Sequence, residues 1–208
     1  MRWTIPNTLT VLRLLAAPGV AVMFLYFNRP WADWFALTLF VGAAITDFFD
    51  GYLARLWKQE SRFGAMLDPI ADKAMVVIAI MVITGYSGMN PWLILPATVI
   101  LFREVFVSGL REFLGVKSGL LQVTKLAKWK TTAQMVAIAV LFLGTGLDYL
   151  DRGSPPRAGE GDLPPTFSWS AAATWAGLAL IWIAAVLTAI TGWDYFRKSR
   201  PYLTDDPK

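Results

Sequence analysis

Six apolar stretches, near residues 9–27, 31–56, 65–85, 92–113, 131–147 and 169–190, take up most of the chain and are separated by short polar segments. Each is close to the roughly 20 residues that an α-helix needs to cross a bilayer. Backbone polar groups in lipid must be satisfied within the segment, so runs of this kind fold as helices. With 56% apolar and 16% charged residues over 208 positions, no room is left for a separate soluble domain. The expectation is a single all-α integral membrane domain over residues 1–208, a bundle of six transmembrane helices. The chain has no Cys and no His, which excludes disulfides, Cys/His zinc sites, thiol nucleophiles and imidazole acid/base chemistry. The net charge of +4 is modest, and the basic residues sit in clusters between apolar runs, a pattern that argues against nucleic acid as a partner.

Those clusters predict an orientation, because Lys and Arg accumulate in cytoplasmic loops. Arg2, then Arg55, Lys58 and Arg62, then Lys117, Lys125, Lys128 and Lys130, then Arg197, Lys198, Arg200 and Lys208 fall on one side. That side is expected to be cytoplasmic and to hold both termini. The other side carries Arg29, Arg152 and Arg157, the last two in a Pro/Gly-rich loop over 148–168. Trp3, Trp31, Trp34, Trp92, Trp129, Trp169 and Trp193 lie near the expected span ends, as an aromatic belt requires. Asn7 or Thr8 is the expected N-cap of the first helix.

Against this background four carboxylates stand out: Asp47, Asp50, Asp68 and Asp72. Ionisable groups at membrane depth are costly and mark functional sites. Asp47 and Asp50 are three apart and Asp68 and Asp72 four apart, so each pair shares a helix face. With a turn near Glu60, Asp47 comes level with Asp72 and Asp50 with Asp68, so the four can converge. Unpaired, they would repel and take up protons, whereas one or two divalent cations would keep them ionised. Lys73 points away from Asp72 and is a poor substitute for a metal, although it could neutralise one charge. All-oxygen ligands suit Mg2+ or Mn2+, with two ions expected. Gly51, Ala54 and Gly64 allow close helix packing, or the close approach of a ligand.

The run Asp47-x2-Asp50-Gly51-x2-Ala54-Arg55-x8-Gly64-x3-Asp68-x3-Asp72 resembles the signature of the CDP-alcohol phosphotransferase family at all eight of its fixed positions. The resemblance implies transfer of a phosphatidyl group from CDP-diacylglycerol, or of a related group from another CDP-alcohol, to a second alcohol with release of CMP. It implies a six-helix membrane fold, a homodimer and a site open to the cytoplasm. On the same analogy Asp47, Asp50, Asp68 and Asp72 are metal ligands, and Asp72 is also the base for the acceptor hydroxyl. Gly51, Ala54 and Arg55, with Asn7, Thr10 and Ser61, would hold the CDP-diacylglycerol.

The acceptor must be chosen from other residues. Arg103 and Arg111 are eight apart, about two turns, so both can face one interior surface. With Lys128 and Lys130 they are candidates for binding an acceptor phosphate. Alternatively the lysines and Arg111 are positive-inside flanks, and Arg103 pairs with Glu104 or another acid. The stretches Arg103-Glu104-x3-Ser108-Gly109-Leu110-Arg111-Glu112 and Lys128-x-Lys130-Thr131-Thr132-x-Gln134, with Pro6-Asn7-x-Leu9-Thr10-x2-Arg13, are similar to those of bacterial phosphatidylglycerophosphate synthases. That implies sn-glycerol 3-phosphate as acceptor and a bacterial inner, cytoplasmic membrane as the location. Serine, inositol phosphate or phosphatidylglycerol as acceptor, a divalent-cation transporter, and a lipid-binding scaffold remain as alternatives.

Overall fold

The structure is a computed structural model and describes residues 4–56, 61–115, 125–153 and 168–203. It contains α1 (Ile5–Tyr26), α2 (Trp31–Leu56), α3 (Arg62–Tyr86), α4 (Pro91–Leu114), α5 (Lys125–Gly153) and α6 (Trp169–Ser199), followed by a 3-10 turn over Arg200–Tyr202. There is no strand among the described residues, and six helices stand where six spans are expected. Among the described residues α1, α4, α5 and α6 are long and apolar enough to cross a membrane. The chain is an integral membrane protein, and α2, whose 26 residues reach about 39 Å, packs in the same bundle.

The caps explain most of the boundaries. Thr4, not Asn7 or Thr8, caps α1: its side chain accepts from Asn7 N–H. Pro6 lies in the first turn of the helix, where its missing N–H costs nothing, so the helix begins upstream of the expected cap. Ser61 caps α3 by accepting from Gly64 N–H at 3.0 Å, and Asn90 caps α4 by accepting from Trp92 N–H at 3.0 Å. The largest departure is α5. It starts at Lys125, within the expected polar connection, and runs on to Gly153 instead of ending near residue 147. Lysine is a good helix former and can carry its ammonium to the interface on a flexible stem, so a basic segment continues the helix.

Within the bundle α1 packs against both α2 and α3, α5 packs on α6, α4 packs on α6, and α2 meets α5. Phe40, Met75, Ile100, Ile138, Phe142 and Ile181 are fully buried where these helices meet. Outside, Leu15, Leu25, Leu95, Phe102, Val105, Trp175 and Ile183 are exposed, an apolar exterior suited to lipid. The α5–α6 contact depends on small residues. A Cβ at Gly177 would come within 2.8 Å of the Leu141 side chain and 3.2 Å of its backbone nitrogen. Gly177→Leu is therefore expected to destabilise the bundle by about 1–3 kcal/mol despite its better helix propensity, read as a lower thermal midpoint in detergent. An unchanged midpoint would mean that this helix pair is not tightly packed.

Candidate active site

The site is built where α1 sits against α2 and α3. Arg13 of α1 is buried, its side chain only 2% exposed, and its Nη1 donates to Asp47 Oδ1 of α2 at 2.5 Å and lies 3.4 Å from Asp72 Oδ1 of α3. The carboxylates themselves are open, with the Asp47 and Asp72 side chains 45% and 53% exposed. One buried guanidinium thus backs two accessible carboxylates. Thr10, one turn before Arg13, donates its hydroxyl to Asp68 Oδ1 at 2.8 Å. A turn earlier still, Asn7 is buried and accepts from the Ser61 hydroxyl at 2.7 Å.

One face of α1 therefore presents Asn7, Thr10 and Arg13 in succession to the carboxylate-bearing helices, at the three-residue spacing that keeps neighbours on one side of a helix. This contact also gives Gly64 its reason: a Cβ there would fall 2.7 Å from Asn7 Oδ1. A larger residue at this position would displace the Asn7 side chain from its contact with Ser61.

Sequence reasoning missed Arg13 as a partner of the acidic cluster. Its signal was a charge in the middle of an apolar run, which needs a counter-charge at that depth. The hairpin picture, in which α2 and α3 face one another, left no place for it. In the structure α1 lies against both, and its arginine joins them. Lys73 goes elsewhere: its ammonium donates to Ser108 Oγ of α4, and the Ser108 hydroxyl donates to the Glu104 carbonyl.

Asp47 and Asp72, expected level with one another, meet at Arg13, and Asp68 is held by Thr10. The side chains of Asp50, Gly51, Ala54 and Arg55, on the last two turns of α2, lie outside the described residues. Among the described residues no three carboxylates are close enough together to enclose an ion as they stand. The donor set nevertheless fits a hard divalent cation: it is all oxygen, anionic and about half exposed at Asp47 and Asp72.

A second cluster, of cations, lies where α4 meets α5 and α6. Glu104 Oε1 accepts from Arg103 Nη1 at 3.2 Å and also pairs with Lys130 Nζ. The alternative that Arg103 pairs with Glu104 is thus realised, and the same carboxylate serves Lys130. Arg103 lies against α6, where a Cβ at Gly192 would approach its Cγ to 2.9 Å. Its Nε is buried without a hydrogen-bond partner among the described residues. Arg111 stands over the Tyr195 ring, 5.5 Å from the centroid. Arg103 and Lys130 thus share one carboxylate, and the charge of Arg111 acts on both, so cationic groups outnumber Glu104 here. The Lys128 side chain lies outside the described residues. The path Asp72-Lys73 to Ser108 to Glu104 links this cluster to the acidic one.

Comparison with known proteins places the whole chain among relatives of one name. A protein of Cereibacter sphaeroides named CDP-diacylglycerol–glycerol-3-phosphate 3-phosphatidyltransferase is 74% identical over 220 residues, covering 99% of this chain and 100% of the relative. Relatives of the same name from Rickettsia bellii and Salmonella typhimurium are 40% and 38% identical, over 95% and 99% of this chain and 96% and 100% of their own lengths. Residues 3–190, which include both clusters, match the sequence model of the CDP-alcohol phosphatidyltransferase family. With its acidic motif complete and nearly its whole length matched, the chain belongs to the CDP-alcohol phosphatidyltransferase family.

Proposed function

We propose that this protein transfers the phosphatidyl group of CDP-diacylglycerol to sn-glycerol 3-phosphate, giving phosphatidylglycerophosphate and CMP. The choice of acceptor rests on the surplus of cationic groups, Arg103, Lys130 and Arg111, tied through Ser108 and Lys73 to the helix that carries Asp68 and Asp72. An anionic acceptor needs such donors in a partly desolvated cleft, and serine does not. The relatives' shared name supports the same choice.

In the reaction the acceptor hydroxyl attacks the β-phosphorus of the donor. A new ester P–O bond forms, the bond to the bridging oxygen breaks, and CMP leaves with that electron pair. Asp72, open and on the face of α3 beside Asp47, takes the hydroxyl proton. Without Cys or His, direct displacement is preferred over a covalent enzyme intermediate. Arg103, Arg111, Lys128 and Lys130 hold the acceptor phosphate. Gly51, Ala54 and Arg55, with Asn7, Thr10 and Ser61, hold the CDP group, and the last three also fix α1 against α3 beside it.

The family generally depends on a divalent cation. Asp47, Asp50, Asp68 and Asp72 would hold Mg2+ or Mn2+, as two ions, which supply positive charge to the donor diphosphate and its leaving group. The basic loops support a site and both termini facing the cytoplasm of a bacterial inner membrane. A homodimer belongs to the same reading, from family resemblance.

Arg111→Ala and Lys130→Ala test the acceptor assignment. Each is expected to raise the apparent KM for glycerol 3-phosphate by about 10- to 150-fold, the loss of one hydrogen bond to a charged group. The KM for CDP-diacylglycerol should change much less. If both residues serve only to orient the protein in the membrane, correctly inserted mutants will keep their acceptor KM. That result would remove the cationic cluster as the ground for choosing glycerol 3-phosphate.

A further inference from the structure

Arg13 is the most buried charged group at the acidic cluster, and neither the family signature nor the proposed chemistry gives it a task. Its guanidinium is buried against Asp47 and Asp72, while both carboxylates are about half exposed. Thr10 and Asn7 fix the helix that carries it by their bonds to Asp68 and Ser61, so the charge cannot easily drift away. Lys73 is occupied at Ser108 and does not share this task. We infer that Arg13 is the resident counter-ion of Asp47 and Asp72, a positioning residue that holds the two carboxylates level and sets how tightly the cluster takes up a divalent cation. The inference rests on reading the cluster as a cation site.

Two effects of Arg13 on cation affinity oppose each other, and their sizes decide the sign. Holding two carboxylates in register favours binding, but an ordering contact of this kind contributes less than about five-fold. Its positive charge disfavours binding. A neighbouring arginine lowers the proton affinity of a carboxylate by about ten-fold or more, and a dication in the same place feels a larger repulsion than a proton. Charge therefore wins, and Arg13 weakens the affinity of the cluster for a free cation. The benefit is that a donor diphosphate, bringing its own negative charge, becomes part of what makes cation binding favourable.

The test is a titration of purified protein in detergent with Mn2+, following the free ion by electron paramagnetic resonance. Arg13→Met and Arg13→Gln are expected to bind Mn2+ about ten-fold more tightly than the wild type, and Arg13→Lys to stay near it. Without added cation the two neutral variants should melt earlier than the wild type, and Mn2+ should raise their midpoints by more. A purely structural role would lower the midpoint equally with and without Mn2+. The wild type offers a check that needs no folded variant: Mg2+ should speed hydrogen exchange of the Arg13 guanidinium, because the ion takes up carboxylate lone pairs. Equal or weaker Mn2+ binding by the neutral variants, or unchanged guanidinium exchange, overturns the counter-ion role and leaves the cation site standing. No Mn2+ binding by the wild type or any variant overturns both.

Discussion

Asp72→Asn should lower turnover by about 10²- to 10⁴-fold, the usual range for loss of a general base, while CDP-diacylglycerol still binds. The amide keeps the shape of the carboxyl group but cannot accept the acceptor's proton. Asp72 is suited to that task by position: it is open, it belongs to the carboxylate cluster, and its neighbour Lys73 leads through Ser108 to the cations proposed to hold the acceptor phosphate. The structure adds a control. Arg13 contacts Asp47 at 2.5 Å and Asp72 only at 3.4 Å, so the join between α1 and α2 should survive the change. Turnover near the wild-type rate, with cation present, would show that Asp72 is not the base. Turnover and donor binding lost together would mean that its role in holding the cations dominates.

Exhaustive chelation should abolish turnover, and Mg2+ or Mn2+ should restore it. The donor carries a diphosphate to a cluster of carboxylates whose one resident cation among the described residues is Arg13. Bringing these anions together without divalent charge is opposed by their mutual repulsion, and the leaving CMP would develop its charge unsupported. The stripped protein should nonetheless keep its helices, because the bundle is held by apolar packing around Phe40, Phe142 and Ile181 and because Arg13 offsets part of the acidic charge. Circular dichroism before and after chelation checks that half of the expectation. Full turnover after chelation would remove the cation from the mechanism. Irreversible loss with melted helices would make it structural.

Much of the fold was legible because hydropathy alone imposes it: six apolar stretches became six helices, and only their ends moved. The ends moved where polar residues are compatible with helix. Lys125 was read as loop and is helical, and Thr4, two residues before Pro6, took the cap expected of Asn7 or Thr8. The acidic residues were legible as an unusual cost at membrane depth. What joins them was not, because spacing along one helix says which residues share a face but not which helix that face meets. Arg13 is 34 residues from Asp47 and 59 from Asp72, and it joins them only because α1 packs against both α2 and α3. Gly64 shows the same limit. Its place in the motif was plain, but its reason, the close approach of Asn7, is a contact across 57 residues of sequence that only the packed helices reveal. Glu104 likewise read as a local partner for Arg103, whereas its contact with Lys130 spans 26 positions.

The most direct test of the central claim is release of CMP by the purified protein given CDP-diacylglycerol and Mg2+, with sn-glycerol 3-phosphate, serine, inositol phosphate or no acceptor added in turn. The account predicts rapid CMP release with glycerol 3-phosphate, matched mole for mole by phosphatidylglycerophosphate, and little with the others. Equal or faster release with serine or inositol phosphate, or no release with any acceptor, would contradict it.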